Sequence, residues 1–459
     1  MKRVSTYALA LALAASGSAA TLTSPAAAQN YGTPPAPPPQ APSSNDRRSA
    51  SSSDSEVEEF DPGAISDEVR AVVVAVQTAL ESEEVAPDTA ALLAQLQGAV
   101  PMVQNNDDRF ILGQLMLQIA ARTQNDGGPA EQVQAAQIPG LRLGLESNRV
   151  GVAQRPVYWL AIGNAANSAN DTAGALEAYQ NVLRYDPDNS DAHIQSALAH
   201  FRVDNDAAGY ASASAAFASL RAAGQEIPSS WHTVPFRNAY ETNDVARVVE
   251  FGTAFLQSHP SPQNWNEVLR VLQTAGRLEE QANLDVLRLM RATNGLDANL
   301  VNEYVRLAAL RGLPREAQDV YEAAVAGGAI QPDQEIASEL SSAIPGDQAG
   351  LAESEAQARS SAAGRVALNT ADAYASYGDN AKALELYDIA LEKGGVDAGT
   401  VHLRKGALLY SMGQMDQARA EFEAVTGDRQ PHAAFWLQWL DEQAGATAAP
   451  AAADPASAE

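Results

Sequence analysis

Six histidines, 57 acids, 30 lysines and arginines and no cysteine bound the chemistry open to this 459-residue chain. Without a thiol there is no disulfide framework, no thiolate zinc site and no thiol nucleophile. His193 and His200 are the only histidines that share a predicted helix. Seven residues is two turns, about 10.5 Å of rise, too far for both to hold one metal. No His-Glu-x-x-His, Gly-x-x-x-x-Gly-Lys, Gly-x-Gly-x-x-Gly or Gly-x-Ser-x-Gly occurs, so the common zinc, phosphate, dinucleotide and nucleophile motifs are missing. Asp186 to Asp191 (DPDNSD) looks like a calcium loop, but it lacks the central Gly and has Ala197 where the distal Glu belongs. It predicts a turn and a helix N-cap instead. Adjacent carboxylates such as Glu83-Glu84 and Glu279-Glu280 are expected on solvated faces. These readings point away from an enzyme, with no cofactor and no metal.

What remains is recognition chemistry. Asn266 and Arg270 stand one helical turn apart, and Asn302 and Arg306 repeat that spacing 36 residues later. Residues at i and i+4 share a helix face. Asn offers a donor and an acceptor, and Arg offers a planar fork that fits a carboxylate. In a chain of formal net charge −27, such a strip is a candidate anchor for an acidic peptide or a C-terminal carboxylate. The competing reading pairs these arginines with acids such as Glu267 or Glu303, and exposed pairs are weak. Asn164 and Asn167 form a second candidate. The acid excess repels phosphate, so nucleic acid is not expected as a partner.

The elements that position these residues are helical throughout. Apolar residues recur at three- and four-residue spacing, and Gly, Pro, Asn and Asp punctuate at short intervals. The clearest unit, Pro156 to Asn189, holds Trp159-x-x-Ile162-Gly163, Ala166, a turn at Asn170-Asp171, Ala175-x-x-x-Tyr179, Val182 and Pro187. It resembles the tetratricopeptide repeat (TPR) family, with Ile162 for the usual Leu and Ala166 for the usual Tyr. The resemblance implies that Gly163 and Ala175 sit where two antiparallel helices cross closely, with Trp159 and Tyr179 filling the space beside them. Pro187 stops the second helix. The pattern returns at Tyr374, Gly378, Ala383, Tyr387 and Ala390. It returns again at Gly406, Leu409, Gly413, Ala418 and Phe422, where Ala418 follows Ala383 by 35 residues. Tyr304, Gly312, Ala317 and Tyr321 mark another unit, and Trp265, Leu272 and Gly276 the one before it. Residues 331–363 leave room for one degenerate pair. The helix of Phe435, Trp436, Leu437 and Leu440 reads as a C-terminal cap over the last repeat.

The expected organisation is a signal peptide over 1–28, a disordered Pro/Ser-rich linker over 29–63 and a helical lead-in of degenerate repeats over 64–155. Repeats with a capping helix then fill 156–443, and a disordered tail 444–459. In the lead-in, Pro139-Gly140 is expected to interrupt the helix after Leu117. The fold class is all-α: a right-handed α-solenoid of seven or eight TPR-like pairs. Met1-Lys2-Arg3, the apolar run from Tyr7 to Ala15 and Ala26-Ala27-Ala28 have the order of a secretory signal. They are too short for a span of ~20 apolar residues. The periplasm is the expected location, and secretion beyond the cell the alternative. By resemblance, first-helix residues facing away from the second helix line a concave groove. This gives a non-catalytic protein-protein scaffold or adaptor of the bacterial cell envelope, binding a peptide or protein in that groove. The alternative is an enzyme or carbohydrate-handling subunit with its site there.

Overall fold

The computed structural model describes residues 60–82 and 87–448. Among them are twenty α-helices, four short 3-10 turns and no strand. The signal segment expected over 1–28, and most of the linker expected over 29–63, lie outside the described residues. Contacts divide the chain into two compact units, Met1–Trp231 and His232–Glu459.

The first unit holds α1 (Asp67–Leu80), α2 (Thr89–Ala99), α3 (Asn106–Asn125), α4 (Ala130–Glu146), α5 (Arg155–Ser168), α6 (Thr172–Tyr185), α7 (Ser190–Arg202) and α8 (Asp206–Ala222). Val69, Val73, Val76, Leu92, Leu96, Leu112 and Leu115 form the core of its first three helices. Two buried acids at the start of α3 fasten the preceding segment. Asp108 accepts from the Ser66 N–H at 2.8 Å, the Ser66 hydroxyl at 2.9 Å and the Gln104 N–H at 2.8 Å. Asp107 accepts from the Asp61 N–H at 3.0 Å and pairs with Arg149 at 2.9 Å. The interruption expected at Pro139-Gly140 does not occur, since α4 runs through both residues. Gly140 is where α4 touches α3: a Cβ there would lie 2.9 Å from the Gly113 carbonyl oxygen. This close backbone packing offsets the donor that Pro139 lacks.

The α5–α6 pair has the TPR-like crossing. A Cβ on Gly163 would run into the Tyr179 ring edge, and Ala175 and Tyr179 are both fully buried. The Tyr179 hydroxyl donates to Asn164 Oδ1 at 3.0 Å. Trp159 is half-buried and rests on Leu141, Ile162 and Ala178 rather than filling the crossing. Asn189 caps α7 through the Ala192 N–H at 2.9 Å, so the Asp186–Asp191 stretch is a turn and cap. Gly163→Leu and Ala175→Leu are each expected to cost about 1–3 kcal/mol by overpacking, measured as a lower midpoint in urea melts.

The second unit follows α9 (Ser229–Thr242), which starts at the boundary. It holds α10 (Val245–Ser258), α11 (Pro262–Ala275), α12 (Glu280–Ala292), α13 (Ala298–Leu310), α14 (Pro314–Ala326), α15 (Gln334–Ser360), α16 (Arg365–Ser376), α17 (Asn380–Lys393), α18 (Ala398–Ser411), α19 (Met415–Glu423) and α20 (Gln430–Ala448). Its last hairpin repeats the α5–α6 geometry, with the Gly406 Cβ position 2.7 Å from Phe422 Cε1. Each hairpin turns through a left-handed residue: Asn243, Arg277, Gly312, Gly378 and Gly413 here, Asn170 and Asp204 in the first unit. Gly276, a turn marker by sequence, keeps helical backbone and Arg277 makes the turn at φ 45°.

The degenerate pair expected over residues 331–363 is a single 27-residue helix, α15, with Pro345 inside it. Gly346 stands 34 residues after Gly312, at the turn register, yet keeps a right-handed conformation. Asp347 occupies the register at which Asp379 caps α17. Its carboxylate instead accepts from the Tyr377 hydroxyl at 2.7 Å. With that side chain taken by a neighbouring helix, no new N-terminus is capped there and the helix continues.

The last helix runs to Ala448, beyond the boundary expected at 443. It caps the final hairpin, as expected: Trp436 stacks on Phe422 with centroids 5.1 Å apart, and Trp439 Nε1 donates to the Tyr410 hydroxyl at 2.8 Å. It also reaches the other end of the unit. Phe435 and Trp439 meet Trp265 edge-on at 6.4 and 5.7 Å, and Trp265 Nε1 donates to Glu442 at 2.9 Å. The second unit is therefore closed on itself by α20. Among the described residues no helix is long and apolar enough to cross a membrane.

Candidate binding face and buried charge cluster

The strip predicted from sequence lies on α11 and α13. Trp265, Val268, Leu269 and Leu272 form the buried face of α11, and Val301, Tyr304, Val305 and Ala308 that of α13. Arg270, Asn302 and Arg306 are exposed, as helical periodicity requires. Asn266 is half-buried and serves the joint between hairpins: its Nδ2 donates to the Gly295 carbonyl at 2.5 Å and approaches Asp297 Oδ2 at 3.5 Å. Arg270 faces the same Asp297 at 3.5 Å, and Arg306 faces Glu280 at 3.9 Å. Glu303, a partner considered for these arginines, instead accepts from Asn283 at 2.6 Å. Both arginine contacts are long and about half exposed (47% and 56%). Water and salt screen such pairs, so an incoming carboxylate competes with them at low cost. The second candidate is partly engaged: Asn164 accepts from Tyr179, and Asn167 accepts from Arg202 at 2.7 Å.

A larger polar assembly lies inside the second unit. Asp285 of α12 is buried, and three guanidinium groups converge on it. Arg404 Nε donates at 3.0 Å, Arg288 Nη1 at 3.0 Å and Arg429 Nε at 3.3 Å. Each arginine also reaches a second carboxylate. Arg404 binds Asp372 at 2.6 Å, Arg288 clasps Glu316 with two bonds of 2.8 Å, and Arg429 binds Glu279 at 2.7 Å. Tyr387 donates to Asp372 at 2.7 Å and Tyr304 to Glu316 at 2.8 Å. A 20 Å³ cavity lined by Leu284, Arg311, Leu313, Asn369, Asp372 and Arg404 adjoins the cluster. This is room for one water molecule and no larger ligand.

Burial alone would raise the Asp285 carboxyl, but Arg404 and Arg288 overcome it and hold the group below its ordinary value. Glu316 behaves likewise under Arg288 and the Tyr304 hydroxyl. Burial pushes the Tyr304 and Tyr387 hydroxyls well up, with the adjacent carboxylates adding to it. Both therefore stay protonated donors. Sequence reasoning missed this cluster because its partners are distant: Asp285 and Arg404 are 119 residues apart. One signal was available. Asp285 and Arg288 interrupt the otherwise apolar Leu284, Val286, Leu287, Leu289 and Met290, a run that a buried helix does not carry without a reason.

No protein-family model matches the chain. No curated protein matches it by sequence. Solved structures do. The chain solved in the functional characterization of Pseudomonas aeruginosa pilF is 14% identical over 64% of this chain and 100% of that one, with a TM-score of 0.21. A chain in the structure of Naa15/Naa10 bound to HypK-THB is 12% identical over 79% of this chain and 63% of that one, with a TM-score of 0.34. The TPR-like assignment rests on the helix pairs described above.

Proposed function

We propose that the protein is a non-catalytic scaffold of the bacterial cell envelope, exported by its N-terminal signal, that binds a partner protein or peptide through the α11–α13 face. The observation that carries this reading is the register of two successive first helices. Each buries its apolar stripe and offers one loosely held arginine, Arg270 and Arg306, 36 residues apart. Stacked repeats that present one chemical group at one height form a ladder, and a guanidinium ladder selects carboxylates. Asn302 is exposed beside Arg306 and supplies an amide for a partner's backbone. Asn266 is the member that shapes the joint. The partner that fits is an acidic segment or a free C-terminus.

The test is affinity for acidic and C-terminal-carboxylate peptides captured from envelope extract. Arg270→Ala with Arg306→Ala is expected to weaken binding about 10-fold or more and to leave helical content and melting unchanged, because both contacts are exposed. Unchanged affinity removes this face from the proposal. A loss shared by an Asn266→Ala variant that also melts earlier would instead mark a defect of the joint.

A further inference from the structure

Closure of the second unit depends on one helix, and that helix has a titratable side chain at its most buried end. We propose that α20 is a proton-released latch: acid charges His432, α20 leaves its seat, and the Trp265 face of α10–α11 is uncovered.

The geometry is specific. His432 is 1% exposed. A carbonyl oxygen can only accept, so His432 Nε2 carries the hydrogen and donates to the Ala282 carbonyl of α12 at 3.1 Å. Its other nitrogen, Nδ1, is buried with no partner. In the neutral ring this leaves one lone pair unused. In the charged ring it leaves an N–H⁺ with no acceptor in a dry site, which costs far more. The charged groups that face the ring are Glu279 and Asp285 from α12 and Arg429 from the turn before α20. Arg404 of α18 stands behind Asp285. Neither acid is free to take up the new charge, because Asp285 is held by three guanidiniums and Glu279 by Arg429. Elsewhere α20 meets aromatic rings of α11, α18 and α19 (Trp265, Tyr410 and Phe422), and its Glu442 pairs with Trp265 at the far end. Trp436 Nε1 is a second buried donor with no partner, so the seat is incompletely satisfied before any proton arrives.

Burial sets the direction: it pushes His432 down to about 4, with Asp285 opposing and Arg429 assisting. A released His432 returns to its ordinary value near 6.5. The open form thus binds more protons between these values, and closure weakens as the pH falls through that window. From those two values the open-to-closed ratio is expected to rise about 30-fold between pH 7.5 and pH 5.

Hydrogen exchange of the full chain, read by mass spectrometry and corrected for intrinsic rates, tests this. Residues 430–448 are expected to open about 30-fold more at pH 5 than at pH 7.5, while α13 and α14 stay protected. His432→Phe keeps the packing volume, cannot be charged, and is expected to abolish the response. His432→Gln is the second neutral variant should Phe disturb the fold at pH 7.5, with the same loss of response expected. The latch is overturned if wild-type 430–448 shows no extra opening, if α13 and α14 open in parallel, or if the neutral variants respond like the wild type.

Discussion

Asp285→Ala is expected to cost the second unit about 3–5 kcal/mol, and millimolar formate is expected to restore part of the loss. Three guanidiniums, on α12, α18 and the turn before α20, share this one carboxylate. Removing it leaves Arg288, Arg404 and Arg429 facing Asp372 and Glu316, with Glu279 at the exposed rim. Each arginine keeps one partner, which sets the loss toward the lower end of the range. Helix propensity works the other way, since Ala is a better interior helix residue than Asp, so a net loss must come from the cluster. Asp285→Asn separates charge from shape: it keeps the volume and loses the charge, and is expected to lose nearly as much. Because Asp285 and Glu316 are held below their ordinary range, their contribution is complete above the unfolded carboxylate value of about 4. It disappears as the pH falls through the lower folded values. Urea melts with and without formate supply the measurement. Formate recreates the missing carboxylate in the space left by the side chain, so a midpoint that does not respond, with wild type also unaffected, shows that the arginines are not organised around position 285.

The helix pairs were legible in the chain because their determinants are local. Gly163 with Tyr179 and Gly406 with Phe422 are each 16 residues apart in sequence and meet across a single turn. Ala175, Ala317, Ala383 and Ala418 open second helices and are all fully buried. The exposed positions of Arg270, Asn302 and Arg306 follow from the same periodicity. What escaped sequence reading needed knowledge of a distant partner. Gly346-Asp347 carries the turn-and-cap signal of Gly378-Asp379, yet α15 runs through it, because Asp347 is taken by Tyr377 from another helix. The aromatic pattern of α20 predicted a cap and could not show that Trp265, 174 residues before Trp439, is its second seat. Arg404, Arg429 and His432 read as ordinary polar positions because the groups that bury them lie on α12. Long-range closure, unlike repeat identity, has no short-range signature.

That second seat sets up the other large effect. Trp265→Ala is expected to destabilise the second unit by about 3–5 kcal/mol. Trp265 is 1% exposed, lies edge-on to Trp439 at 5.7 Å and 87°, and donates its indole N–H to Glu442 at 2.9 Å. Two effects contribute, and their sizes differ. The hydrogen bond to a half-exposed carboxylate is worth about 1 kcal/mol, so Trp265→Phe, which keeps an aromatic ring and loses the donor, should recover most of the stability. The ring contacts carry the remainder, and they tie α11 to α20 across the closed unit. Pairing Trp265→Ala with Trp439→Ala isolates that tie. Once either ring is gone the other has lost its edge-on neighbour, so the double variant should fall short of the summed single losses by about 0.5–1.5 kcal/mol. Strict additivity in urea melts would place the two tryptophans in separate environments, and α20 would then cap the last hairpin without closing the unit.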